Sequence, residues 1–334
     1  YGVTFDQISH YLHNEMDHLQ RSRLNLLTSD LLNRDNLVRL EPEKLSQRVM
    51  SNRARFIGIH RMKIAVDSNR NLGPAWLTRD ETISRFGHCE SWIYLGEQNN
   101  TFHFALMLED SLPLSDDHFA GLRALAFHLD ASESTLLAFA QALTVWHKRH
   151  GYCGQCGTPT IIAQGGHVRV CSAESCGTTH YPRTDPAIIV LVESDDHALF
   201  GRKPEWPKHR YSTIAGFVEP GESAEQAVVR EVAEETNITV LSAHYHSSQP
   251  WPFPGSLMLG YHAKAIKSQI SLNDQELEDA QWLSREEIIT GLSQGLFVPP
   301  PRISISFRLI EDWFNQSATI PLKTLLHQSG VADF

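Results

Sequence analysis

Apolar and polar positions recur with two different periods along this chain, and the switches between them outline its elements. From Asp6 to about Asn33 the residues Ile8, Leu12, Met16, Leu19, Leu24, Leu26 and Leu27 keep helical spacing, which predicts a long amphipathic helix. RARFIGIHRMKIAV, WIYLG and FHFALML read as strands, the last with Phe102, Phe104 and Leu106 alternating. DASESTLLAFAQALTVWHKRHG returns to the helical period through Leu136, Phe139, Leu143 and Trp146, with Asp130 or Ser132 as its cap. Further on, PAIIVLVES and ALFGRK predict a hairpin of buried strands, and SAEQAVVREVAEET predicts a helix. LMLGYHAKAI and AQWLS add two strands, and PPPRISIS through FRLIEDWFNQ gives a closing helix entered from a proline run. No internal repeat and no low-complexity segment shows.

At 334 residues the chain exceeds the usual single-domain size, so two or three domains are expected. Apolar residues at 41% and charged residues at 20% describe an ordinary globular composition, with no apolar run near the roughly 20 residues of a membrane helix. The first residues show no basic stretch leading into an apolar core, so no secretory signal is expected. The formal net charge of −10 argues against steering to nucleic acid by bulk charge; a phosphate ligand would need local cations.

Four of the five cysteines fall in one short stretch, as Cys153-x2-Cys156 and Cys171-x4-Cys176, each pair followed by glycine. Two such knuckles supply the four thiolates of a tetrahedral structural zinc, which suits a reducing compartment better than a disulfide framework does. His167 or His180 standing in for one thiolate is the alternative. Cys89 stands alone and reads as an ordinary thiol.

The most informative stretch runs from Gly216 through Glu222 to Ile238. Ser223 and Gln226 form a capping box that opens the helix. At about 100° per residue from Ala224, Ala227, Val228 and Val232 make one apolar face, and Glu231 (roughly 340°) and Glu235 (roughly 20°) fall in its middle. Two like charges a turn apart among packed apolar groups are unfavourable unless a cation neutralises them. A salt-bridged helix end answered by Arg230 is the structural alternative. The segment resembles the Nudix box, G-x5-E-x7-R-E-U-x-E-E-x-G-U with U aliphatic. It matches at Gly216, Glu222, Arg230, Glu231, Val232, Glu234, Glu235 and Ile238. Asn237 replaces the usual glycine at a helix end, where asparagine tolerates the left-handed conformation best after glycine.

SQPWPFPGS follows, from Ser248 to Ser256. Its three alternating prolines cannot donate to a sheet ladder or continue a helix, so they predict a stiff rail carrying the rings of Trp251 and Phe253. A base could stack on such a ring with little ordering penalty. A proline-rich ligand for a partner domain, or a packed loop, is the alternative. Cysteine knuckles, box and rail in that order resemble the NADH pyrophosphatase subgroup of the Nudix hydrolases, over roughly residues 103–314. The resemblance implies an α/β fold, a Nudix α/β/α sandwich over 183–334 behind a zinc ribbon over 151–182; the patterning ahead of them predicts a β-rich domain with a leading helix over 1–150. It implies hydrolysis of NADH or NAD+ to nicotinamide mononucleotide and AMP by a cytoplasmic homodimer, with NAD-capped RNA as a further substrate.

Carried over residue by residue, Gln249, Pro250, Trp251, Pro252, Phe253, Pro254, Gly255 and Ser256 recognise the dinucleotide. Tyr181, Arg123 and Ser306 add substrate contacts. Glu231, Glu235, Glu276 and the Ala215 carbonyl hold Mg2+ or Mn2+, Glu234 or Glu235 takes the proton, and Arg230 and Glu222 orient the acids. A zinc-ribbon nucleic-acid-binding protein is the rival reading, its Nudix domain inactive or turned to ADP-ribose or dinucleoside polyphosphates. The complete set of box acids and the acidic net charge count against it.

Overall fold

The computed structural model describes residues 16–67, 73–87, 90–273 and 276–330, which fold around three sheets. The first part contains α1 (His18–Arg23), α2 (Pro42–Val49), β1 (Ala54–His60), β2 (Lys63–Asp67), β3 (Gly73–Pro74) and α3 (Arg79–Phe86). It continues with β4 (Trp92–Gln98), β5 (Thr101–Met107), β6 (Phe119–Gly121), α4 (Leu122–Leu125) and α5 (Ala131–Arg149). Its strands run β3-β2-β1-β5-β4, with β6 also on β2. RARFIGIHRMKIAV is two strands, because Arg61 and Met62 adopt positive φ (48° and 62°) and turn the chain back. Asp130, not Ser132, caps α5.

The long leading helix is corrected. Of the described part only His18–Arg23 is helical, started afresh by a capping box between Asp17 and Gln20, and Leu27 at φ 68° could not continue it. Asp6 to Glu15, and Cys89, lie outside the described residues. Beyond α1 the chain crosses to the last sheet, where the Asn25 amide donates to Ser247 Oγ (3.2 Å) and to the Ser248 carbonyl (2.9 Å).

The cysteine stretch forms a small antiparallel sheet of β7 (Thr160–Ala163), β8 (Val168–Cys171) and β9 (Thr179–His180). The last part contains β10 (Asp185–Ser194), β11 (His197–Arg202), β12 (Ile214–Phe217), α6 (Ala224–Thr236), β13 (Val240–Trp251), β14 (Ser256–Ala265) and β15 (Asp279–Ser284). It closes with α7 (Arg285–Gln294), α8 (Ile305–Asn315) and α9 (Leu322–Gln328). The sheet runs β13-β14-β10-β11-β15, with β12 also on β10. Along β10, Ile188, Val190 and Val192 face α6 while Ile189 and Leu191 face α7, α8 and α9, so both faces are covered. A strand buried on two sides must be apolar throughout, which is why PAIIVLV shows no alternation. The arrangement is the expected α/β/α sandwich.

The two large sheets share one plan. β1 pairs parallel with β5 as β10 does with β14, and each of these strands makes an antiparallel hairpin with its neighbour. α3 stands in the chain where α6 does, but with 8 residues against 13, and it buries Thr82 and Phe86 where α6 buries Val228, Val232 and Glu235. This duplication is absent from the sequence reading because a strand order needs only apolar positions in register, not recurring residues.

Four histidines tie stability to pH. Burial pushes His103, His147, His167 and His262 down to about 4, helped by Arg55 at His103, Arg169 at His147 and Arg39 at His167. An unfolded chain binds these protons from about pH 6.5 downward while the folded chain refuses them until about 4, so stability is full above 6.5 and falls across that window. The melting temperature should therefore drop steeply between pH 6.5 and 4 and recover on neutralisation; a flat profile there would contradict the burial of these rings.

Candidate active site

Helix α6 begins as its sequence predicts. Ser223 accepts from the Gln226 N–H (3.2 Å) while the Gln226 side chain accepts from the Ser223 N–H (2.9 Å). It ends at Asn237 in the left-handed region, φ 59°. Between these caps, Glu235 is 2% exposed and Glu231 is half-buried against Gly216 of β12. The box glycine has a direct explanation: a Cβ built on Gly216 would lie 1.9 Å from the Glu231 carboxyl carbon. No residue with a side chain could stand there while Glu231 keeps its place. Burial pushes the Glu231 carboxyl above its ordinary value, Arg230 opposes that, and the charges of Glu234 and Glu276 add to it.

Arg230 is the hub of the acids. Its Nε and Nη2 hold both oxygens of Glu222 (2.9 Å each), and Nη1 reaches Glu231 (2.9 Å) and Glu234 (3.0 Å). Nη2 also donates to the Phe217 carbonyl at 2.9 Å. All five guanidinium N–H donors are thereby engaged within the chain, which fixes the carboxylates and leaves Arg230 no donor for a ligand. The same hydrogen bonds draw the Glu222 carboxyl below its usual range.

A cleft of about 220 Å³ takes in one of the box acids, Glu235, and is lined as well by Ala215, Lys203, Trp206, Trp251 and Ser304. Lys203 donates to Glu276 at 2.9 Å. Burial lowers its pKa, but the Glu276 bond and the charges of Glu276, Glu235 and Glu205 outweigh that and leave it raised. Lys203 and Trp206 were missed by the sequence reading; the only signal was ALFGRK running into a tryptophan, which carries no spacing rule. Ala215 and Glu235 thus share a cleft, Glu231 lies one helical turn away, and Glu276 reaches it through Lys203.

The rail is corrected in part. Gln249, Pro250 and Trp251 pair with Met258, Leu257 and Ser256 as the end of β13, so Pro250 sits inside a ladder. β13 is the edge strand of its sheet, where a missing donor is tolerated. The turn Pro252–Gly255 makes the tip, with a cis bond between Phe253 and Pro254. Trp251 and Phe253 pack edge to face, centroids 4.9 Å apart, and the Arg123 guanidinium lies over the Phe253 ring at 4.4 Å. One aromatic face is therefore covered by Arg123.

Two expected substrate contacts turn into the body instead. Gln249 is fully buried; its amide donates to the Leu26 and Ile303 carbonyls, and its oxygen accepts from the Ile305 N–H. Ser306 is fully buried too, 2.8 Å from the hydroxyls of both Ser212 and Thr213, and Ser304 is the tail serine at the cleft. Ser256 is buried opposite Trp251. Tyr181, 65% exposed, is not among the cleft-lining residues.

The four sulfurs of Cys153, Cys156, Cys171 and Cys176 all lie within 4.8 Å of one another. Thiolates on bonds of about 2.3 Å to one tetrahedral zinc stand about 3.8 Å apart, so the set fits that ion. His180 Nε2 is 3.3 Å from Cys153 Sγ, placed beside the cluster rather than in a thiolate's stead, and His167 instead meets the Tyr94 carbonyl at 2.6 Å.

A glycine loop running into a helix whose acids face a mixed sheet, on an α/β/α sandwich, defines the Nudix class. Family models agree: "NUDIX domain" matches residues 182–301, "NADH pyrophosphatase zinc ribbon domain" 148–181, and "NADH pyrophosphatase-like rudimentary NUDIX domain" 53–146. The last accounts for the shared plan of the two sheets. NAD-capped RNA hydrolase NudC of Pseudomonas aeruginosa is 42% identical over 223 residues, 66% of this chain and 78% of that one. NAD-capped RNA hydrolase NUDT12 of Macaca fascicularis is 41% identical over 197 residues, 55% of this chain, and the chain spans only 42% of that relative's length. Human NAD(P)H pyrophosphatase NUDT13, mitochondrial, is 40% identical over 58% of this chain and 59% of its own. The chain belongs to the NADH pyrophosphatase, or NudC-type, branch of the Nudix hydrolases. Among the described residues no helix is long and apolar enough to cross a membrane.

Proposed function

We propose that the protein hydrolyses the pyrophosphate bond of NAD(H), releasing nicotinamide mononucleotide and AMP, and that it also removes NAD caps from RNA. The observation that carries this reading is a carboxylate cleft walled by tryptophan, with Glu235 inward and Glu231 seated on Gly216. Water's oxygen bonds to one phosphorus, the bridging P–O bond breaks, and the leaving phosphate keeps its electron pair. Glu231, Glu235, Glu276 and the Ala215 carbonyl would hold Mg2+ or Mn2+, which supplies a clamp on the diphosphate and a lowered pKa for bound water. The buried Glu235 and the half-buried Glu231, like charges one helical turn apart, support that assignment, since a bound cation offsets their repulsion and desolvation. Glu234 or Glu235 accepts the water's proton. Arg230 keeps Glu222, Glu231 and Glu234 in fixed directions, and Trp251 offers a wall for a ring of the dinucleotide.

The zinc of the ribbon is structural in this reading, and the thiol cluster suits a reducing compartment such as the cytoplasm. We place unit boundaries near 150 and 182 and read the chain as a homodimer, with the exposed Tyr181 as a further substrate contact.

The test is product analysis with NADH, ADP-ribose and NAD-capped RNA, in Mg2+ and then Mn2+. Nicotinamide mononucleotide and AMP should appear from NADH, and Glu235→Gln should lower kcat by at least about a hundredfold with its fold intact. Wild-type turnover by that variant would refute the assignment.

A further inference from the structure

Trp251 has a cavity on each side. One is the carboxylate cleft; the other, of about 230 Å³, lies between α5, the segment Pro182–Thr184 after the ribbon, and the tip of the β13–β14 hairpin. Its walls include Phe139, Trp146 and Trp251, and Arg34 and Arg183 line it as well. We propose that this second cavity is a nucleotide site: it takes the nucleotide joined to the 3′ side of the capped adenosine, base in the slot and phosphate on the two arginines. The inference rests on the reading of NAD-capped RNA as a substrate.

Three observations carry it. The slot is apolar, and Phe139, Trp146 and Trp251 on its walls are surfaces against which a base can stack. The Trp146 side chain, 5% exposed, carries a buried indole N–H without a hydrogen-bond partner among the described residues. A buried donor of this kind is normally satisfied, and the carbonyl or ring nitrogen of a base would satisfy it. Finally, neither Arg34 nor Arg183 donates a hydrogen bond or forms an ion pair with another described residue, although the chain carries a net charge of −10; Arg34 lies over the Phe139 ring at 4.3 Å. Both phosphates of a dinucleotide are taken up at the carboxylates, so two further guanidiniums, one tryptophan away, point to one phosphate more. Free NADH lacks that phosphate. NADPH has a phosphate on the same ribose but no base after it.

The experiment compares the wild type, the double variant Arg34→Gln/Arg183→Gln, and Ala142→Phe, which fills the slot from α5. Each is assayed for kcat/KM on NADH, NADPH and an NAD-capped trinucleotide at one salt concentration. Both variants should lose about tenfold on the capped trinucleotide and stay within about twofold of the wild type on NADH. Equal losses on NADH would assign the cavity to the dinucleotide and overturn the proposal. A loss on NADPH as large as on the capped trinucleotide, with Ala142→Phe harmless, would leave a phosphate reader with no base site and also overturn it. The arginines are exposed, so their replacement keeps the test valid if Ala142→Phe folds poorly. A wild type that consumes NADH but leaves the trinucleotide capped sinks the capped-RNA reading and this site with it. A wild type that cleaves both substrates, with variants that match it on both, sinks this site alone.

Discussion

Gly216→Ala should lower NADH turnover by at least about a hundredfold while shifting the melting temperature by only a few degrees. Its backbone lies outside the left-handed region, so alanine brings no conformational strain there; the effect comes from one added methyl group. That carbon would stand 1.9 Å from the Glu231 carboxyl carbon and 2.0 and 2.2 Å from its two oxygens, where no atom fits. Glu231 must swing away, taking with it the 2.9 Å contact to Arg230. The carboxylate is the flexible partner and has solvent within reach, which is why the fold should survive what the site does not. Gly151→Ala, with open space around the new methyl, is the control and should behave as wild type. Direct titration of Mn2+ into Gly216→Ala should show weakened binding; wild-type affinity and turnover together would disconnect Glu231 from the metal.

Removing the ribbon's metal should act on stability rather than on chemistry. Structural zinc contributes on the order of 10 kcal/mol of apparent folding free energy in small domains that cannot bury a core. Here the ribbon is also bolted to the first sheet. His147 meets the Gly166 carbonyl at 2.8 Å, His167 meets that of Tyr94 at 2.6 Å, and Arg169 lies 3.1 Å from the His147 ring. Gly166, at φ +90°, lets the chain press on Ile93, which a Cβ would meet at 2.8 Å. Stripping the zinc, or Cys171→Ser, should therefore lower the melting temperature by more than about 10 °C and expose residues of both the ribbon and the β4 edge to hydrogen exchange. Metal analysis finding no zinc in the purified protein, with chelators leaving the melting curve unmoved, would overturn this.

Much of helix α6 was legible because its signals are local. A capping box, an apolar face and two acids on that face are fixed by spacing within a single helix, so Ser223, Gln226, Glu231 and Glu235 take the directions their periodicity implies. The knuckles are local in the same sense: two short Cys–Cys spacings, closed by glycine turns, bring four sulfurs together. Pro250 shows the opposite case. Proline reads as a stop for strands, yet at a sheet edge the missing donor faces no loss, and only the strand order reveals that β13 is an edge. Gln249 and Ser306 likewise looked available because their family positions are functional. Their polar atoms are in fact held by Leu26, Ile303, Ile305, Ser212 and Thr213, partners up to 223 residues away.

By itself the sequence determined which residues carry charge on an apolar helix face, where a thiolate knot closes, and which family the box resembles. Tertiary structure alone decided that Gly216 is the seat of a carboxylate, that Lys203 joins the acids, and that the sheet around β1 and β5 repeats the plan of the sheet around β10 and β14. Periodicity reports only neighbours within a turn or a strand. Close approach between distant segments depends on how the sheets stack, and no spacing in the chain encodes it.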